Sequence, residues 1–208
     1  MRFIEELQQQ RWDDHRYYHH SRINQFLHLL SASSFLTSYV LLFINPVIAT
    51  LIGWLAAMGF RQVGHFFFEP KSFDEVYRVT HEYKESVKVG YNLQRKVVLL
   101  SIWALAPVVL YFNTTFFGLF EAHHDIPGFI SNMAMIWLVV GIGALIFRTV
   151  HLFFIMGVQS GMVWSTKILT DPLHDIKIYY KSPYYILKGE RYDDMSDWYE
   201  DHPAAEQS

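Results

Sequence analysis

Four long apolar runs, at about residues 26–44, 47–68, 97–120 and 129–158, constrain this chain more than any other feature. At ~1.5 Å per residue, a helix needs roughly 20 residues to cross a ~30 Å hydrocarbon core. The first run is adequate, and the second reaches that length by including "RQVGHFFF" at 61–68. Asn45-Pro46 is a turn signal between them. Hydrophobic residues make up 51% of the chain and charged ones 18%, a balance shifted toward membrane proteins. The expectation is an all-α integral membrane protein. A single domain over 1–208 holds four transmembrane helices as two hairpins, with amphipathic segments at 1–25, 69–96 and 159–208. A soluble helical bundle with apolar core helices is the competing architecture.

Basic residues give orientation, because cytoplasmic segments near span ends are enriched in Lys and Arg. Every Lys and Arg except Arg148 falls in the amphipathic segments or at the span ends beside them, while the opposite side, at 44–46 and about 121–128, has none. Both termini are therefore expected in the cytoplasm, and a bacterial inner membrane and an endoplasmic reticulum fit equally. The opening "MRFIEELQQQRWDDH" lacks the apolar core of a cleavable signal peptide. A formal charge of −3 gives no reason to expect nucleic acid as a partner. With no cysteine, the chain can make no disulfide, thiolate metal site or cysteine nucleophile.

What remains for chemistry is mostly histidine, of which there are eleven. His28 lies 18 residues before Pro46 and His65 lies 19 after it, so a tight hairpin returns them to one depth at its cytoplasmic end. In "RYYHHSRINQFLHLL", His20, Asn24 and His28 share a helical stripe at i, i+4, i+8, whereas His19 is offset. His65 and Glu69 are also i, i+4, and the fourth span brings His151 to the same half, followed by Asp171, His174 and Asp175. A lone interfacial histidine is ordinarily structural. Several imidazoles with a carboxylate at one depth are costly unless they serve a site, and three neutral imidazoles with open positions suit Fe(II). Sequence does not choose iron over zinc. His174, between Asp171 and Asp175, is a further candidate ligand, as are His20 and His151. His123-His124 falls on the far side as a loop feature, "THEYKESVKVGYNLQRK" at 80–96 reads as an interfacial amphipathic helix, and the aromatic, basic stretch 167–195 suits lipid headgroups.

"YHHSRINQFLH" at 18–28, followed by "GW" at 53–54 and "GHFFFEP" at 64–70, resembles the Mpo-type family of multi-pass membrane proteins. Its fungal member is a non-haem Fe(II) dioxygenase that shortens 2-hydroxy fatty acids by one carbon. The resemblance covers roughly residues 17–70 and falls on His19, Asn24, His28, Gly64-His65 and Glu69. Arg22 stands where the family has proline, and the basic-proline stretch after the glutamate is reduced to "PKSF". The resemblance favours His19 as the partner of His28 and His65, where helical phase favours His20. It implies Fe(II) held by His19, His28 and His65, with Glu69 as ligand or as acceptor for an imidazole N–H. Asn24 and Arg61 would serve substrate binding, Arg61 by attracting an anionic headgroup or else by snorkelling to the interface. The implied partners are the bilayer, dioxygen and a long-chain 2-hydroxy fatty acid. Two rivals stand beside it. "HRYYHH" at 15–20 has the H-x-x-x-H-H spacing of di-iron membrane hydroxylases and desaturases, without a second box, and a lipid-binding scaffold would need no metal.

Overall fold

The computed structural model describes residues 1–69, 72–74, 78–91 and 93–193, and within them the chain is helical, as the apolar periodicity leads one to expect. Helix α1 covers Phe3–Tyr18 and α2 covers Arg22–Leu41. Four residues further on, α3 runs over Pro46–Phe68. The turn signal works as a cap: the Asn45 side chain accepts from the Ile48 amide at 3.1 Å, and Pro46 takes a first-turn position where no amide proton is needed. α3 is not uniform, for it winds as a π-helix over Ile52–Met58 and again over Gly64–Phe68. The short α4 (His81–Val87) precedes α5 (Leu93–Phe112) and α6 (Ile126–Ile155). Gly157, with φ at 93°, turns the chain into α7 (Val158–Tyr179), and α8 (Ser182–Leu187) follows.

Among the described residues, three helices are long and apolar enough to cross a membrane: Pro46–Phe68, Gln94–Phe112 and Ile126–Ile155. The run expected as the first span forms α2, which has the length but not the apolarity. Three of its hydroxyls are satisfied by the helix itself: Ser33, Ser34 and Thr37 each donate to the carbonyl four residues back at 2.8–3.0 Å. Val98, Ile102, Leu105, Val108 and Phe112 of α5 are exposed, as are Val139, Ile142, Ile146 and Phe154 of α6, the outward apolar surface expected of helices facing lipid. Inside, the Trp54 indole donates to the Trp137 carbonyl at 2.8 Å and the Trp137 indole to the Trp103 carbonyl at 2.9 Å. This ladder ties α3 to α5 and α6 around Ala106, Leu110 and Ile136.

α2 and α3 form an antiparallel pair. Near the turn Ser38 donates to the Ala49 carbonyl at 2.8 Å, and at the open end Gly64 sits against Asn24 and His28. Two expectations are corrected here. The segment 80–96 is not one interfacial helix, because α4 ends at Val87 and α5 begins at Leu93; Asn92 lies outside the described residues. Nor does 167–195 simply lie along headgroups. α7 packs on α1, α2 and α6 and buries Lys167, Asp171 and Asp175 among them, while residues 194 and 195 lie outside the described residues.

Candidate metal centre

Three imidazoles meet where the α2–α3 hairpin opens. One ring nitrogen from each of His19, His28 and His65 lies within 4.8 Å of the other two. His19 owes its place to a break in the chain. α1 ends at Tyr18, Ser21 caps α2 by accepting from the Asn24 amide at 3.4 Å, and residues 19–21 form a link whose helical phase is not that of α2. Side chains of α2 hold that link: Asn24 Nδ2 donates to the Tyr18 carbonyl at 2.8 Å and Gln25 Nε2 to the His19 carbonyl at 2.9 Å. His19 therefore turns in, where an unbroken helix would have presented His20.

Proton positions follow from the partners. His28 Nδ1 lies 3.0 Å from the Asn24 carbonyl, which only accepts, so its proton is on Nδ1 and Nε2 is a bare lone pair. His65 Nδ1 lies 2.6 Å from the Glu69 carboxylate, which fixes the same tautomer in His65. His19 Nε2 is 3.0 Å from His28 Nε2, and among the described residues its buried Nδ1 has no hydrogen-bond partner. Burial, then the neighbouring His28, hold His19 well below the usual imidazole range, so the ring is neutral, the form that binds metals. Two nitrogens each ~2.1 Å from one cation at a right angle would lie ~3.0 Å apart. The donor set, the two fixed tautomers and the His19–His28 separation thus fit a transition-metal ion.

Glu69 acts on the site from outside, orienting the His65 ring, and is itself held by Lys88, whose ammonium lies 3.4 Å away and 3.9 Å over the Tyr18 ring. Asn24 is completely buried and, among the described residues, does not line the large cavity; its Nδ2 holds the Tyr18 carbonyl and so positions the link, while its buried Oδ1 has no hydrogen-bond partner among the described residues. Arg61 does line that cavity but is not snorkelling, for it lies 3.6 Å from Asp175 and 3.9 Å from Asp171. His20, His151 and His174 stand apart from the trio. His20 approaches Asp74 at 3.6 Å, His151 Nδ1 accepts from Arg148 at 2.8 Å, and His174 lines a small void beside His15 and Tyr179. His123 accepts no role here either, lying in the 113–125 loop 3.2 Å from the Thr114 carbonyl.

Sequence reasoning missed Tyr179, Lys167 and Asp14. The Tyr179 ring lies 5.8 Å from that of His19 and its hydroxyl is hydrogen-bonded to His15 Nδ1 at 2.8 Å. Lys167 bridges Asp171 at 2.7 Å and Asp14 at 3.0 Å. The signal was there: Lys167, Asp171, Asp175 and Tyr179 recur every fourth residue, one stripe of α7 turned toward the histidines.

From His65 a cavity of about 480 Å³ extends between α2, α3, α5, α6 and α7. Its far walls are apolar, with Phe35, Leu42, Trp54, Leu99 and Trp137, while Asp14, Arg61, Lys88, Lys96 and Lys167 gather at the histidine end. On α3 the lining runs from Thr50 to His65, a depth of about 20 Å at ~1.5 Å per residue. Comparison with known proteins returned no matching family model, no matching curated protein and no matching solved structure.

Proposed function

We propose that His19, His28 and His65 hold Fe(II) and that the chain is a membrane dioxygenase of the Mpo type, acting on long-chain 2-hydroxy fatty acids. The observation that carries the metal is the pair of fixed tautomers: Asn24 and Glu69 take the Nδ1 protons of His28 and His65 and leave bare Nε2 atoms in one confined space. The bound ion would supply dioxygen activation and an anchor for the substrate hydroxyl and carboxylate. The protein does the rest. Glu69 and Asn24 keep the ligand rings in one orientation, the apolar walls take the acyl chain and exclude water, and the cations at the histidine end compensate the carboxylate. The bond between the first two carbons would break with one dioxygen consumed, so that the substrate leaves as an acid one carbon shorter and its former carboxyl carbon leaves as a one-carbon fragment, carbon dioxide with one water.

The same reading has α2 crossing the membrane beside α3. A link of only four residues joins the two, so if α3 spans, its antiparallel partner runs back through the same depth. Crossings by α2, α3, α5 and α6 then leave both termini on the basic, cytoplasmic side, of either a bacterial inner membrane or an endoplasmic reticulum. The 3.0 Å approach of His19 to His28 would equally suit an N–H···N bond in a scaffold without metal. Anaerobic purification with elemental analysis, then oxygen uptake on adding 2-hydroxyhexadecanoate, separates these. About one iron per chain with substrate-dependent uptake is expected, two irons would favour a di-iron hydroxylase, and a protein that takes up no metal overturns the proposal.

A further inference from the structure

Four cations line the histidine end of the large cavity, and three are neutralised. Arg61 faces Asp171 and Asp175, Lys167 bridges Asp14 and Asp171, and Lys88 lies 3.0 Å from Glu85 and 3.4 Å from Glu69. Asp13, the remaining acid of the lining, is taken by Arg16 at 2.7 Å. Lys96 is the exception: it lines the same cavity, is half-buried, and among the described residues makes no ion pair or hydrogen bond. Glu69 and Asp14 act on it only from beyond ion-pair distance, and a partly desolvated ammonium held in no ion pair is costly until an anion arrives. The sequence places that anion's tail as well. Leu99 and Leu100, three and four positions along α5, continue the wall from Lys96 into the apolar part of the cavity.

We propose that Lys96 is the carboxylate receptor of this cavity, and that the site takes a single-chain anionic amphiphile with its tail among Leu99, Trp54 and Trp137. The inference deepens the substrate reading above and shares its cavity, but needs no metal. The cavity volume falls in the range of small-molecule sites, and its depth of about 20 Å exceeds the ~15 Å of one leaflet's hydrocarbon, so the occupant is a long chain and not a short acid. Charge complementarity selects a carboxylate over a neutral alcohol of equal length.

The test uses full-length protein immobilised in mild detergent with chelator present, and tritiated hexadecanoate and 1-hexadecanol as probes. Wild type should bind both, the acid more tightly. Lys96→Met should weaken hexadecanoate about tenfold or more while leaving hexadecanol within about twofold, and Lys96→Arg should restore most of the acid's affinity. Unchanged acid binding in Lys96→Met, parallel loss of both ligands, or no hexadecanoate binding by wild type would overturn it. Iron content of the untreated preparations reports separately on the metal. Lys96-dependent acid binding in a protein that takes up no iron keeps this inference and removes the dioxygenase, and normal iron without Lys96 dependence does the reverse.

Discussion

Gly64 is where the α2–α3 hairpin closes, and Gly64→Ala puts the centre to a quantitative test. A Cβ built there would sit 2.2 Å from Asn24 Oδ1 and 3.3 Å from both Asn24 Cγ and His28 Cε1. Asn24 and His28 are completely buried, and Asn24 can swing away only by giving up its bond to the Tyr18 carbonyl. Overpacking of this kind costs ~1–3 kcal/mol, and a buried hydrogen bond left unmade costs ~1–3 more. Alanine's better helix propensity returns ~0.5–1, so the net expectation is a loss of about 3 kcal/mol. For a chain of this size that lowers Tm by roughly 6–12 °C. Because the displaced groups are a ligand and the clamp of another ligand's link, part of the strain falls on the metal site. Half of it would weaken metal binding about tenfold. Gly59→Ala is the control, since nothing lies within 4 Å of its added Cβ and its backbone is ordinary right-handed helix. Thermal unfolding and Co(II) titration of the two variants should diverge. Equal stability and equal metal affinity in Gly64→Ala and Gly59→Ala would refute the close-approach argument.

Glu69→Gln keeps a hydrogen-bond acceptor but removes the charge that fixes His65, and should weaken metal binding ~10–100-fold by titration without unfolding the protein. His19→Ala should lose metal more completely, whereas His20→Ala and His151→Ala should retain it; metal lost on His20→Ala would reverse the assignment between the adjacent histidines. Arg61→Met strands the buried carboxylate of Asp175, while Asp171 keeps Lys167, and should cost ~3–5 kcal/mol in thermal unfolding, with Asp175→Asn in the same chain recovering part. In chelator, stability should fall as pH drops below ~6.5. Burial lowers His15 to about 3 and His174 to about 4 and holds His19 well down, so the unfolded chain binds these protons first. Asp175, pushed up to about 7 by burial, gains its proton in the folded state over the same range and offsets one of the three. Tm measured from pH 7 to 5 should therefore decline, and His15→Gln should flatten the slope; a Tm that rises toward pH 5 would contradict the sign.

How much of this could be read from residues alone differs along the chain. The pairing of His28 with His65 needs only their equal distance from Pro46, and the turn at Asn45-Pro46 caps α3 as its chemistry requires. Choosing His19 over His20 was beyond periodicity, because the phase argument assumes one helix through residues 18–28 and the chain breaks at 19–21. α2 is harder to read for a different reason: Ser33, Ser34 and Thr37 bond to carbonyls of their own helix and Ser38 to one of α3, so side-chain composition stops reporting what the helix faces. α7 was hardest, since a stripe of Lys, Asp and Tyr looks the same in sequence whether it meets water or the charges of Arg11, Asp14 and Arg61. The resemblance to the Mpo type falls on the same three histidines that the structure brings together, but not on Tyr179, Lys167 or Lys96, which lie beyond its reach near residue 70.

Arg148, buried inside α6, donates to the carbonyls of Val89 and Gly90 and so fastens the stretch that carries Lys88, the residue that holds Glu69. All three candidate ligands lie before residue 70, yet this line of contacts reaches them from the other half of the chain. The first hairpin is thus not a transplantable module. Moved alone onto another scaffold, residues 19–69 would carry the imidazoles and Glu69 but neither the Lys88 ammonium that holds Glu69 nor most of the walls that would hold a chain against them.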